Sequence, residues 1–316
     1  MPIIRTVTGE IPPNQLGFCQ CHEHLMISKG VSFEVNPALC IDDPEKSRKE
    51  LLLYLAAGGR SIVDAQPVGC NRMERALGSL SEETGVNILC STGFHKLQFY
   101  PEDHWIYRYS EKKLADLYIH ELEKGMFTDC DTNEPEDFCS FKAGIIKTAL
   151  DREGLTGRYQ HLFNAAAEAF ASTGAPIMVH IEQGSNPLDL LEYLTARRVP
   201  ANKLIFCHMD RTCEIDTIKE TVAAGVFAEF DTIGRFKYHS DEYEIELMKA
   251  LIAEGYQEQL LCSLDTTRER LKSYTPDAVG LDYILKTFLP LMRNSGIEEQ
   301  HIHQFFYENC ARALAV

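Results

Sequence analysis

Two histidines one residue apart, His22 and His24, follow the short apolar run Gly17–Cys21. Residues spaced this way along an extended strand project to the same face. The pair can therefore offer two imidazoles to one point, a chelate suited to zinc, cobalt, nickel, manganese or iron. A strand end with two solvated rings is the plain alternative, and the spacing alone does not decide. Further along, Lys147 follows Gly144-Ile145-Ile146 inside an apolar run. An ammonium there is costly to bury unless it is paired or modified. As a free amine it is a nucleophile. It can condense with carbon dioxide to give a carbamate, a bidentate anionic bridge between metals, or with a carbonyl to give a Schiff base. A lysine snorkelling to the rim is the bland reading. His180, His208 and Asp265 each stand at or beside the end of another such run. Singly, each histidine reads as a packed structural residue and the aspartate as a helix cap. Together, His-x-His, Lys, His, His and Asp at the ends of the first, fourth, fifth, sixth and eighth runs point to a metal site.

The elements that must position these groups are legible as an alternation. Short apolar runs occur at Gly17–Cys21, Ser61–Ala65, Val86–Cys90, Ala143–Thr148, Pro176–Ile181, Leu204–Cys207, Val226–Phe230 and Leu260–Leu264. They are continuous and rich in Ile, Val, Leu, Cys and Phe, as strands buried on both faces are. Between them lie stretches expected to be helical: Glu45–Leu55, Arg72–Glu83, Leu114–Gly125, Gly157–Thr173, Leu188–Ala196, Ile215–Ala224, Asp241–Gly255 and Asp282–Asn294, with Glu298–Ala315 closing the chain. Strands alternating with helices in this number predict a (β/α)₈ TIM barrel occupying residues 1–316 as one domain. A doubly wound open sheet competes, but it usually carries a Gly-rich phosphate loop after its first strand. The segment Gly17-Phe18-Cys19-Gln20-Cys21-His22 is not one. In a barrel, chemistry sits at the carboxyl ends of the strands, where the candidate residues fall.

Bulk properties narrow the partners. The 316 residues carry a formal net charge of −16, which argues against nucleic acid or an anionic membrane as partner. A small anionic substrate held by a few local cations stays possible. Eleven scattered cysteines show no zinc-ribbon spacing, and several sit in apolar runs, as thiols in a reduced, cytoplasmic protein do. No signal-peptide core and no apolar run of membrane-spanning length is expected. A homodimer is the default for a soluble enzyme.

The segments Cys21-His22-Glu23-His24-Leu25, Ala143-Gly144-Ile145-Ile146-Lys147, Val179-His180, Cys207-His208-Met209-Asp210 and Leu264-Asp265 resemble, in this order, the phosphotriesterase family of the amidohydrolase superfamily. The resemblance runs from Gly9 to Glu308-Asn309-Cys310-Ala311. It implies a metal-dependent hydrolase with two divalent ions, zinc first and manganese, cobalt or nickel as alternatives. His22, His24 and Asp265 would bind the more buried ion, and His180 and His208 the more exposed one. Lys147, as its carbamate, would bridge them together with a hydroxide. That hydroxide would attack a carbonyl or phosphoryl carried by the exposed ion, and Asp265 would pass the proton to the leaving oxygen.

The family includes phosphotriesterases, carboxylesterases and lactonases. A phosphotriester is neutral and wants an apolar pocket, whereas the loops here are basic: Gly93-Phe94-His95-Lys96, Gly234-Arg235-Phe236-Lys237-Tyr238-His239 and Thr267-Arg268-Glu269-Arg270-Leu271-Lys272. These segments resemble the branch that opens phosphorylated furanose lactones, which implies a phosphate held by Lys and Arg. The candidates are Lys237 and Arg268, then Arg270, Lys96 and Tyr274. Relatives acting on long acyl lactones often carry Tyr two residues after the Gly that follows the third strand. Here that position, counted from Gly93, is His95. The rival readings are a phosphotriesterase or carboxylesterase with the same centre, a Schiff-base aldolase using Lys147, and a binding protein without turnover.

Overall fold

The computed structural model describes residues 2–316. Two three-residue strands, β1 (Ile4–Thr6) and β2 (Gly9–Ile11), form an antiparallel hairpin. Eight strands then run parallel: β3 (Cys19–Glu23), β4 (Ser61–Asp64), β5 (Asn87–Gly93), β6 (Ala143–Leu150), β7 (Ile177–Ile181), β8 (Leu204–Cys207), β9 (Phe227–Phe230) and β10 (Leu260–Cys262). They are hydrogen-bonded in chain order into one eight-stranded sheet. Helices follow the strands and cover the sheet from outside, which defines a (β/α)₈ barrel. The ring is completed between its first and last strands partly by a side chain. The Asp265 N–H donates to the His22 carbonyl (3.0 Å), and the Glu23 carboxyl group accepts from the Leu264 N–H (2.9 Å) and the Thr266 N–H (3.1 Å).

Strand side chains alternate between barrel interior and helix layer. The interior lower half is filled by Cys19, Cys21, Val63, Leu89, Ile145, Met178, Ile205 and Leu261. The hairpin and the chain's end seal that floor: Ile4 and Leu314 join the same cluster, and Ile3 and Val316 exchange backbone hydrogen bonds of 3.1 and 2.8 Å. The sequence pattern had not suggested this hairpin, because three-residue strands show no periodicity. The helices start where expected chemistry starts them. Asp43 caps Pro44–Ala57 through the Lys46 N–H (3.2 Å), and Ser110, Asn186 and Ser240 cap Glu111–Glu123, Pro187–Thr195 and Asp241–Ala253.

Several boundaries differ from the sequence expectation. The first strand is shifted toward the mouth, so that His22 lies within it. The third strand runs on to Gly93, which has φ +96°. A Cβ at Gly93 would stand 1.9 Å from the Lys147 carbonyl oxygen, so glycine is what lets β5 and β6 stay paired at the level of the site. The last two helices are each interrupted by a wide π-type turn, Ile284–Phe288 and Gln304–Glu308.

Candidate metal centre and active site

At the carboxyl ends of the strands, polar groups replace the apolar interior. His22, at the end of β3, is 1% exposed; its Nδ1 lies 3.0 Å from Asp231 Oδ2 and its Nε2 lies 3.7 Å from Asp265 Oδ1. His24 Nε2 is 3.5 Å from the same oxygen. His208, just past β8, adopts φ +64°, and Asp265, past β10, adopts φ +49°. Backbone strain of this kind collects where side-chain placement is over-determined by function. Asp231, just past β9, fixes two imidazoles at once: Oδ1 lies 2.6 Å from His208 Nδ1, and Oδ2 accepts the His208 N–H at 3.0 Å as well as facing His22. His208 Nε2 meets His180 Nδ1 at 2.8 Å, and His180 Nε2 meets Glu182 Oε2 at 3.1 Å.

Burial shapes the protonation of this cluster. It pushes His22 down to about 4, with Lys147 adding, and His180 down to about 4. Burial would raise Asp231, but His208 and His22 outweigh it and hold the carboxyl below the usual carboxylate range. Burial likewise opposes ionisation of Asp265, and the Arg235 guanidinium outweighs it, holding Asp265 well below that range. The contact is bidentate: Arg235 donates to Asp265 Oδ2 at 2.8 Å and to the Asp265 carbonyl.

Two trios place donor atoms within 4.8 Å of one another, His22–His24–Asp265 and His208–Asp231–Asp265. The buried Nδ1 of His24 has no hydrogen-bond partner. Lys147 is fully buried with its Nζ 3.3 Å from His22 Nε2 and 4.0 Å from Cys207 Sγ, and among the described residues no carboxylate pairs with it. Neutral imidazole lone pairs, an orphaned ring nitrogen and an amine lacking a counter-ion fit a centre completed by divalent ions and a modified lysine. Lys147 does not line the cavity above, whereas a Schiff-base amine must reach a carbonyl, so geometry lends the aldolase alternative no support.

A cavity of about 530 Å³ stands over the centre, with His22, His24, His180, His208 and Asp265 at its base. Its wall carries Lys96, Arg211, Arg235, Lys237 and Arg270 against the acids Glu182 and Glu269. Of the residues expected to hold an anionic group, Lys96, Lys237 and Arg270 are on this wall. Lys96 pairs with Glu182 at 2.5 Å, and Arg270 donates to the Ile233 carbonyl at 2.7 Å. Arg268 and Tyr274 are not on the wall, which corrects their placement at the mouth. Arg268 turns to the Cys40 carbonyl (3.1 Å) and lies 4.7 Å from the Tyr274 ring centre, while the Tyr274 hydroxyl accepts from the Asp43 N–H (2.9 Å). Both staple the loop before the helix Pro44–Ala57. The sequence reading missed Arg211, Arg235, Glu182 and Asp231 as site residues. Asp231 stands one residue beyond β9, the same signal that marked His208 and Asp265.

Imidazoles and a carboxylate converging at the mouth of a parallel barrel define the class, a metal-dependent hydrolase. Comparison with known proteins agrees. The sequence profile of the phosphotriesterase family, a family of binuclear metal hydrolases, matches residues 2–314, and the chain belongs to that family. It is 29% identical to a phospho-furanose lactonase of Mycoplasmopsis synoviae, covering 98% of this chain and 91% of that protein. It is 30% identical to one of Mycoplasmopsis agalactiae, covering 99% and 91%. The crystal structure of a lactonase from Listeria monocytogenes superposes with a TM-score of 0.89 at 29% identity, covering 99% of this chain and 98% of that one. Among the described residues no helix is long and apolar enough to cross a membrane.

Proposed function

We propose that the chain opens the lactone ring of a small phosphorylated furanose sugar. The observation that carries this reading is the cationic wall, with Arg211, Arg235, Lys237, Lys96 and Arg270 around one cavity of a protein whose net charge is −16. A neutral phosphotriester or simple ester has no use for such a wall, and an anionic group remote from the reacting carbonyl does. The names of the two mycoplasmal relatives support the same substrate class.

His22, His24, His180, His208 and Asp265 would hold two divalent ions, zinc first, with Lys147 as its carbamate between them. When bound, such a pair would supply an acidified water as nucleophile and a Lewis acid for the carbonyl. Asp231 orients His22 and His208. Asp265 takes the proton of the attacking water and returns it to the ring oxygen that leaves, and Arg235 anchors Oδ2 of that carboxylate and the main chain behind it. Lys237 and Arg211, the latter stacked 4.9 Å from the Tyr238 ring, receive the anionic group. All eleven cysteines are free thiols, which supports a reducing, cytoplasmic setting. A homodimer completes the proposal.

The test is hydrolysis of a panel of furanose lactones, each with and without a phosphate, by metal-loaded protein. Preference for the phosphorylated members should fall about 10- to 100-fold in kcat/KM in Lys237→Ala, as loss of a charge-assisted contact implies. The unphosphorylated members should hardly change. Turnover of neutral phosphotriesters or simple esters with no lactone hydrolysed would leave the metal centre standing and sink the substrate.

A further inference from the structure

Beside the proposed centre lies another group of metal-type donors that the hydrolysis does not use. Asp210 comes from the short helix Met209–Thr212 after β8, His239 from the loop after β9, and Glu244 from the first turn of the helix Asp241–Ala253. One ligand atom from each lies within 4.8 Å of the others. Glu244 is fully buried; no backbone N–H or hydroxyl donates to either carboxyl oxygen, and its polar neighbours are the Asp210 carboxyl and the His239 ring. Asp210 is 4% exposed; its Oδ2 accepts from the Thr232 N–H (2.7 Å) and hydroxyl, while its Oδ1 has no partner. His239 Nε2 lies 2.9 Å from Thr232 Oγ1 and 3.3 Å from Glu244 Oε2.

Among the described residues His239, whose Nδ1 lies 3.3 Å from the Ser240 carbonyl oxygen, is the one cationic-type side chain beside these carboxyls. Asp241, on the same helix, has both oxygens engaged elsewhere, by the Gly234 N–H and the Tyr283 hydroxyl, each at 2.7 Å. Asp231 adds further negative charge from just past β9. No Lys or Arg pairs with Asp210 or Glu244 among the described residues; Arg211 turns instead toward Asp265 (3.8 Å). Two facing buried carboxyl groups with a histidine alongside must either share a proton or enclose a positive centre.

We propose that Asp210, His239 and Glu244 form a third, separate site for a divalent cation. One imidazole nitrogen with two carboxylates is a mixed donor set that suits zinc, manganese, cobalt or iron rather than the all-oxygen preference of calcium and magnesium. Asp210, Lys237, His239 and Tyr243 also line a cavity of about 530 Å³ beside the site. That opening gives the ion an entry path and leaves room for water to complete its shell. The ion ties the helix Asp241–Ala253 to the loop after β9, which carries Arg235 and Lys237. It thereby sets the position of the cationic wall without touching the reacting atoms. The site does not depend on which substrate the enzyme takes.

The test strips the full-length protein of metal, reloads it with Mn(II) alone, and combines metal analysis with electron paramagnetic resonance. The wild type should take up a third equivalent as a magnetically isolated ion beside a spin-coupled pair. Glu244→Gln, which keeps the side chain's shape, and His239→Ala, at a partly exposed position, should each lose the isolated ion and keep the pair. The double variant His22→Ala/His24→Ala should lose the pair and keep the isolated ion, so failure of the binuclear reading is seen separately. A wild type with no third equivalent, or a third equivalent unchanged in both Glu244→Gln and His239→Ala, overturns the proposal. So does an infrared band of a protonated carboxyl in the metal-loaded wild type that disappears in Glu244→Gln, because Asp210 and Glu244 would then share a proton instead.

Discussion

At the floor of the barrel, Cys19, Cys21, Val63, Leu89, Ile145 and Met178 interdigitate with scarcely a polar atom between them. A few residues further along the same strands, His22, Lys147 and Glu229 are just as buried, and His208 and Asp265 stand in left-handed backbone just past strand ends. The strands are common to both ends, so burial is not what separates them. The floor satisfies packing and little else, whereas the mouth gathers imidazoles, an amine without a carboxylate partner and the carboxylates Asp231 and Asp265 at a cost in desolvation and strain. Stability is thus invested at one end and spent at the other, an arrangement that places binding groups on rigid supports.

Substitutions at each end should separate these roles. Asp265→Asn should reduce hydrolysis on the order of 10²- to 10⁴-fold, the range of a lost general acid–base, while moving the unfolding midpoint far less than a floor variant does; steady-state kinetics with denaturant titration checks both. A rate close to wild type would remove Asp265 from the reaction. Ile145→Ala, on the floor of β6, should cost about 2–5 kcal/mol in denaturant unfolding and leave kcat of the folded fraction unchanged. A large fall in kcat would mean that the floor tunes the mouth and that the division is false. Asp43→Ala removes only a helix cap outside both regions. It should cost about 1 kcal/mol by the same titration, with kinetics unaltered, and a change in KM would mean that the loop stapled by Arg268 and Tyr274 reaches the substrate.

The eight strands were legible because strands of a parallel barrel are continuous apolar runs, and the residues at their ends could be inspected one by one. Inspecting the seventh end as closely would have found Asp231. The hairpin before Cys19 was not legible, because a strand of three residues has no pattern to read. The mouth was harder still. Thr267–Lys272 reads as uniformly basic, yet the short turn Arg268–Arg270 sends Arg270 to the cavity wall and Arg268 away to the Cys40 carbonyl. Direction around a tight turn depends on backbone torsions that residue type does not encode. Arg235 lay in a segment recognised as basic, but its bidentate hold on Asp265 joins two loops whose separation in space no local spacing reports.

The seam where Glu23 stands in for part of a strand ladder joins residues 241 and 243 positions apart in the chain. Bringing together ends so distant carries a loop-closure entropy of roughly 5 kcal/mol beyond its constant term, and contacts of such high order form slowly. On contact order alone, closure of the ring is expected to follow docking of the neighbouring βα units, an order that pulsed hydrogen exchange during refolding would test. His22 and His24 lie on one side of that seam and Asp265 on the other, so their shared donor set requires the seam to be closed. Tight retention of metal would then act as a certificate of maturation, granted only to molecules whose first and last strands have met.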